Sequence, residues 1–293
     1  MHGVVRDLGA QRYADDGNAA GAPIAGATVI VGPRLVVGAG PPGAVPRGDV
    51  AATTGGDGSY DIAGYDRRGT TYVMVFPPPG DPHVALHARA GITDERIRAL
   101  YLYVPSPAET AELAVIAADR AADGAAPLVP DEIAFETARA HADFMAANAY
   151  YQHCIPAARC DVVAAFPSTP PPSYAPRYAT PNDLYLALGG ALDIPPGANW
   201  TENFYVGWPS TNAAYASWPA ADASFMRERC NLTASCPNGP VQGGYVKHYT
   251  NIVNPAHTWV GLGSNASARP TTAEGKAVRA PLFADFVQEF YSA

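Results

Sequence analysis

Short runs of β-branched and aromatic residues recur through the first hundred positions and are separated by turn-forming residues. Four such runs occupy residues 28–31, 35–37, 72–76 and 100–104. Clusters of glycine, proline and aspartate, such as residues 55–58 and 77–80, bound these runs. Several short strands with turns between them are typical of two packed sheets. The pattern therefore predicts an all-β sandwich domain over residues 1–104.

From Pro105 onward the apolar positions take helical spacing. Ser106, Pro107 and Glu109 provide a capping hydroxyl, a proline for the first turn and an acid near the positive end of the helix dipole. A second helix is predicted over residues 130–151, because an apolar stripe recurs there every three or four residues. The stripe comprises Ala134, Ala138, Ala142, Met145 and Ala149.

The rest of the chain predicts one further short helix and three strands. The helix is expected at residues 181–188, and the strands at residues 245–253, 258–263 and 283–290. Helices come first and strands last, without regular β-α-β alternation, so the predicted fold class is α+β. The second predicted domain covers residues 105–293.

Composition and charge exclude two classes of partner. The chain has 293 residues, of which 16% are charged, and a formal net charge of −8. No basic block is present, which argues against binding to nucleic acid and to an anionic membrane surface. No run of about 18 apolar residues occurs, so no transmembrane helix is expected.

Four cysteines form two close pairs, Cys154 with Cys160 and Cys230 with Cys236. An even number at short spacing favours two local disulfides and an oxidising compartment, hence an extracellular or cell-surface location. Four reduced cysteines are the alternative, and a zinc site fits less well because neither spacing matches a zinc knuckle. No signal peptide precedes residues 2–7, so a secreted protein would begin here at a processed, truncated or misassigned start.

Residues 23–29 (PIAGATV), 54–62 (TGGDGSYDI) and 69–73 (GTTYV) read as successive turns and strands of the first segment. Through these pieces, the segment resembles carboxypeptidase regulatory-like, transthyretin-like domains. Such domains usually act as structural or adhesive modules. The resemblance therefore implies a β-sandwich and no chemistry in this part of the chain.

In the second segment, Arg120, Gly124 and Pro127-Leu128 form a spaced element. Further pieces follow at residues 138–146, 150–153, 201–204 (TENF), 247–253 (KHYTNIV), 260–263 and 287–290. By the spacing and order of these pieces, the segment resembles the CAP superfamily of cysteine-rich secretory, antigen 5 and pathogenesis-related-like proteins, in particular its bacterial members. The resemblance covers about residues 108–293 and implies a three-layer α-β-α sandwich.

The same resemblance implies a cleft that contains two histidines and two acids. The matching positions are His153, Glu202 and His248, and Asp222 is the candidate for the fourth position. The family acid follows a tryptophan by three residues. Asp222 comes four residues after Trp218, which is about 100° away around a helix.

These residues would support metal chemistry if folding brings them together. Imidazoles are good ligands for zinc and similar divalent ions. Glu202 could orient a ligand imidazole, hold a metal-bound water or act as a general base if burial raised its pKa.

Structural interpretations compete at each of these positions. His153 could simply end a helix, His248 could be a core histidine in a strand, and Glu202 could accept backbone N–H bonds in a loop. His141, beside the apolar stripe, is expected on a helix surface. His2, His83, His87 and His257 show no partner pattern.

The sequence as a whole predicts a secreted binding protein. Its cleft would hold a divalent metal such as zinc, a lipid or sterol, or a peptide or glycan. One alternative is a metal-assisted hydrolase that uses Glu202 as a hypothetical catalytic base. The other is a structural surface protein with a vestigial cleft. No serine-nucleophile, zincin, P-loop or dinucleotide motif is present.

Overall fold

The computed structural model describes residues 1–9, 21–63, 71–90, 99–148, 153, 178, 180–190, 200–207, 216–233, 244, 246–267, 271–273, 276–278 and 283–292. Mixed helices and several sheets give the α+β class that the sequence predicts.

Seven strands form two sheets in the N-terminal part. They are β1 (His2–Asp7), β2 (Thr28–Gly32), β3 (Val50–Thr53), β4 (Ser59–Asp61), β5 (Thr71–Phe76), β6 (Leu86–Ala90) and β7 (Ala99–Leu102). One sheet has the order β4-β1-β7 and the other β3-β2-β5-β6. All pairs are antiparallel except β1 with β7. Apolar side chains of both sheets, for example Val5 and Val73, lie in one hydrophobic cluster.

The strand predicted at residues 35–37 is wrong. These residues lie outside any strand, and the N–H of Val36 donates to the Sδ of Met74 at 3.1 Å. The stretch that follows, residues 38–48, is rich in glycine and proline, which do not extend the run into a strand.

The rest of the described chain contains five helices and six strands. The helices are α1 (Pro107–Ala122), α2 (Glu132–Asn148), α3 (Pro181–Ala187), α4 (Trp218–Met226), which continues into a 3-10 turn (Arg227–Asn231), and α5 (Lys247–Val253). The strands are β8 (Val129–Pro130), β9 (Trp200–Gly207), β10 (Trp259–Ser267), β11 (Thr271–Ala273), β12 (Lys276–Val278) and β13 (Phe283–Tyr291). Four of these strands form a sheet with the order β8-β10-β13-β9, and β11 pairs with β12.

Capping explains where two of the predicted helices begin. The Ser106 side chain accepts the N–H of Glu109, and the Glu109 carboxylate accepts the N–H of Ser106, which is a complete capping box at α1. Thr180 and Asp183 form the same arrangement at α3. The end predicted for the second helix at residue 151 lies outside the described residues.

Residues 247–253 form a helix, so the strand predicted over residues 245–253 is wrong. Tyr249 and Ile252 are the buried residues of α5, and their spacing of three is helical. The carboxylate of Glu228 accepts the N–H groups of His248 and Tyr249 in the first turn. A carboxylate supplied from outside the segment therefore stabilises this helix start.

Helix α2 packs directly against β10 and β13. A Cβ atom at Gly261 or Gly263 would lie 2.0 or 2.2 Å from the backbone carbon of Ala134 or Ala138. Only glycine permits this approach, which fixes the height of α2 above the sheet.

The two parts of the chain also share apolar packing. Val73 and Leu100 belong to the same hydrophobic cluster as Trp259 and Tyr291. His87 on β6 binds the carboxylate of Asp131, directly before α2, through both its N–H and its Nδ1 at 3.0 Å. The boundary predicted between residues 104 and 105 stays a prediction.

Candidate functional site

Alternation along β9 separates two sets of polar side chains. Glu202 and Phe204 point toward α2, whereas Asn203 points toward α5, where its Nδ2 donates to the carbonyl of His248 at 3.1 Å. Glu202 therefore lies in a strand and not in the loop that the sequence suggested. Its register partner on β13 is Glu289, so the two carboxylates lie side by side on the α2 face.

Glu202 is held by two imidazoles. Nδ1 of His141 contacts its Oε2, and Nδ1 of His153 contacts its Oε1. The side chains of His141 and Glu202 are fully buried, and that of His153 is 11% exposed. His153 therefore marks the solvent side of the cluster.

Glu289 completes the cluster from β13. Its carboxyl lies beside that of Glu202, and Nε1 of Trp200 donates to its Oε2. One ligand atom from each of His141, Glu202 and Glu289 lies within 4.8 Å of the other two. Neutral imidazole and two carboxylates are a donor set that zinc accepts.

The electrostatics of the two carboxyls differ. Burial acts to raise the pKa of Glu202, but the charges and hydrogen bonds of His141 and His153 outweigh it and hold that pKa well below its ordinary value. Burial and the neighbouring Glu202 charge raise the pKa of Glu289 well above its ordinary value. These shifts favour the ionised form of Glu202 and the protonated form of Glu289.

A second imidazole–carboxylate pair joins α5 to the 3-10 turn that follows α4. Nδ1 of His248 is 2.6 Å from Oε1 of Glu228, and the His248 ring packs on Phe225 with centroids 4.9 Å apart. Asn251 donates to the carbonyl of Glu202 at 3.2 Å. Side-chain amides therefore connect α5 to the strand that carries Glu202.

Asp222 occupies a different environment. It is buried on α4, where burial and then the charge of Asp119 raise its pKa to about 7. Burial and then the Asp222 charge raise the pKa of Glu112 to about 8. Oε1 of Glu112 accepts a hydrogen bond from Gln288 at 2.8 Å. The structure thus places Asp222 of α4 beside Glu112 and Asp119, two acids of α1.

The structure brings His153 to Glu202 and brings His248 to Glu228. The metal-ligand role of His153 and His248, the catalytic role of Glu202 and the place of Asp222 as a fourth member stay predictions. Cys230 is disulfide-bonded. Cys154, Cys160 and Cys236 lie outside the described residues, so the pairing also stays a prediction.

The sequence did not predict two members of the cluster, His141 and Glu289. His141 is buried, so its expected place on the helix surface is wrong. It follows Ala138 by three residues, and this continuation of the buried stripe was the available signal. Glu289 is a buried acid in a mainly apolar strand, which is a comparable signal.

Two of the histidines with no expected partner are also bound in the core. His87 pairs with Asp131, as described above. Nε2 of His257 lies 2.8 Å from Oγ1 of Thr201. Burial and then the charge of Arg120 lower the pKa of His257 to about 4, so it stays neutral.

Comparison with known proteins gives the family. A sequence model described as the cysteine-rich secretory protein family, CAP, matches residues 113–272, which is more than half of the chain. The chain belongs to the CAP family. None of the curated proteins matches it. The match to the CAP family begins after the N-terminal sheets, so their resemblance to carboxypeptidase regulatory-like domains stays a prediction.

A buried arginine connects α1 to the C-terminal end of α5. Arg120 is fully buried and donates to the carbonyls of Ala126 at 2.7 Å, of Ile252 at 2.6 Å and of Asn254 at 2.9 Å. This residue belongs to the element through which the sequence resembles the family. Its visible role is to position α5, and with α5 the His248–Glu228 pair.

No helix in the described part of this CAP-family chain combines the length and the apolar character needed to cross a membrane.

Proposed function

We propose that this CAP-family protein is an extracellular binding protein that holds a divalent metal such as zinc at imidazole–carboxylate pairs. His153 with Glu202 and His248 with Glu228 are the two pairs. Glu228 takes the fourth position for which the sequence suggested Asp222, because its carboxylate is the one that binds His248. The three-layer α-β-α arrangement that the resemblance implies is part of this proposal.

One observation carries the proposal: Nδ1 of each imidazole is bound to a carboxylate. A carboxylate at Nδ1 fixes the tautomer and leaves Nε2 as the donor atom for a metal. It also makes the imidazole a stronger ligand. Carboxylate-anchored histidines of this kind are typical of zinc sites.

The electrostatics favour binding over base catalysis. A general base works best when its pKa is near the pH at which it acts. Burial alone would raise the pKa of Glu202, yet His141 and His153 hold it well below its ordinary value. Glu202 is therefore a weak base, and its ionised carboxylate is better suited to anchoring cationic partners.

The disulfide at Cys230 supports the extracellular part of the proposal, because disulfides persist in oxidising compartments. The N-terminal sheets would serve as a structural or adhesive module. They pack on the CAP region through His87 and Asp131.

Calorimetric titration with Zn²⁺ tests the proposal. The wild type should show saturable binding, and His248→Ala should weaken it by at least about 10-fold, since a ligand imidazole is lost. His2→Ala is the matched control, because His2 is exposed at the start of β1, and it should leave the affinity unchanged. Equal Zn²⁺ affinity of the wild type and His248→Ala would contradict the proposal.

A further inference from the structure

We infer that His141, Glu202 and Glu289 form a second metal position, behind Glu202 and inside the domain. In the proposed function, the outer side of the same carboxylate anchors Nδ1 of His153. The inner position depends on the proposed site at His153 and His248 only through Glu202, whose Oε1 faces His153 and whose Oε2 faces His141.

The separation of the donor atoms fits a metal ion. Two ligand atoms bound to one zinc ion at about 2.1 Å lie no more than about 4.2 Å apart. The three donor atoms lie within 4.8 Å of one another. Small side-chain rotations therefore suffice to gather them around one ion, and three protein ligands leave one coordination position open.

Charge favours a cation at this position. Glu202 and Glu289 are register neighbours on adjacent strands, and both are buried. Two ionised carboxylates so close in the interior repel strongly, and a divalent cation between them replaces this repulsion by attraction to both. A shared proton is the competing way to reduce the charge of the pair.

The surroundings hold all three side chains in place. Trp200 donates to Glu289, which fixes the carboxyl from behind. Gly261 lets α2 lie directly on the sheet, which sets the height of His141. Ligands whose orientation is fixed by neighbouring groups bind metal more tightly than mobile ones.

The test is the Zn²⁺ stoichiometry of the full chain, measured by calorimetry together with metal analysis after gel filtration. The inner and outer positions predict two ions in the wild type. Glu289→Gln keeps an acceptor for Trp200 but removes the charge of the ligand, so it should weaken Zn²⁺ binding at the inner position by at least about 100-fold. His248→Ala should weaken Zn²⁺ binding only at the outer position.

The two variants separate this inference from the proposed function. A wild type that binds one ion, lost in His248→Ala and kept in Glu289→Gln, overturns the inner position and leaves the proposed function intact. One ion that is lost in Glu289→Gln and kept in His248→Ala supports the inner position and overturns the outer one. No binding by the wild type overturns both.

A measurement on the wild type tests the inner position even if Glu289→Gln does not fold. X-ray absorption at the zinc edge of protein loaded with one equivalent reports the number of imidazole ligands on the tighter site. One imidazole together with carboxylate oxygens supports the inner position when Glu289→Gln is unfolded. Two imidazoles at every loading would overturn it.

Discussion

Replacing Asp131 by alanine should strongly destabilise the protein, because this carboxylate joins the N-terminal sheets to α2. Its Oδ2 accepts the N–H and Nδ1 of His87 at 3.0 Å, and its Oδ1 accepts the N–H groups of Ile133 and Ala134 at 3.1 Å. Both side chains of the His87–Asp131 pair are fully buried. The change therefore leaves several buried donors without an acceptor.

The magnitude follows from these contacts. Loss of a helix cap costs about 0.5–2 kcal/mol, and each buried donor left unsatisfied costs about 1–3 kcal/mol. We expect Asp131→Ala to lower the free energy of unfolding by about 3–5 kcal/mol, which corresponds to roughly 6–20 °C in Tm. Asp131→Asn keeps an acceptor for the α2 cap and should cost less.

Urea denaturation followed by tryptophan fluorescence, together with thermal melting followed by circular dichroism, measures this effect. Asp57→Ala is the control, since Asp57 accepts hydrogen bonds only from Ser59 in an exposed turn, and we expect a change below about 0.5 kcal/mol. The wild type should unfold in one transition because its two parts share a core. A loss below about 1 kcal/mol in Asp131→Ala, or two separate transitions in the wild type, would refute the reasoning.

Three further predictions concern the packing around the CAP sheet. Arg120→Met removes buried hydrogen bonds to several carbonyls and should lower the free energy of unfolding in urea by at least about 3 kcal/mol. Burial raises the pKa values of Glu112 to about 8 and Asp222 to about 7. The folded state therefore binds more protons than the unfolded state between about pH 4 and 8, so stability should fall as pH rises through this window, and less steeply in Glu112→Gln. Gly261→Ala places a Cβ 2.0 Å from the backbone of α2 and should cost about 2–4 kcal/mol in a thermal melt, whereas Gly56→Ala, which meets open space, should be neutral.

Each of these predictions has a contrary outcome. Wild-type stability in Arg120→Met would show that the carbonyls find other donors. Parallel pH profiles of the wild type and Glu112→Gln would show that this carboxyl does not control the pH dependence. Equal melting temperatures for Gly261→Ala and Gly56→Ala would show that α2 can shift away from the sheet.

Local sequence signals predicted three of the five described helices, α1, α2 and α3. Ser106 and Glu109 form the expected capping box, and the alanine stripe of α2 faces the sheet. These elements carry their information within a few residues, because caps and apolar periodicity are local properties. The same is true of β10 and β13, whose apolar runs match the predicted strands.

A tertiary contact explains why the helix at residues 247–253 was predicted as a strand. The carboxylate of Glu228 accepts the N–H of His248 and so caps this segment as a helix. A cap that comes from 20 residues earlier in the chain has no local signature.

The sequence predicted only part of the candidate site, because tertiary contacts assemble the rest. His153 and Glu202 were identified through the family resemblance, and they meet in the structure. His141 and Glu289 were missed because only the register of β9 with β13 and the height of α2 bring them to Glu202. Neither the strand register nor the position of α2 above the sheet can be predicted from a single sequence.

Zinc-edge anomalous diffraction from crystals of the wild-type protein grown with Zn²⁺ tests the central claim most directly. The account predicts anomalous density within coordination distance of Nε2 of His153 or His248, of the Glu202 carboxylate on the side of His141, or at both positions. Well-ordered His153, Glu202 and His248 side chains without anomalous density at either position, at a Zn²⁺ concentration that saturates calorimetric binding, would contradict the claim that the groups around this carboxylate form a metal site.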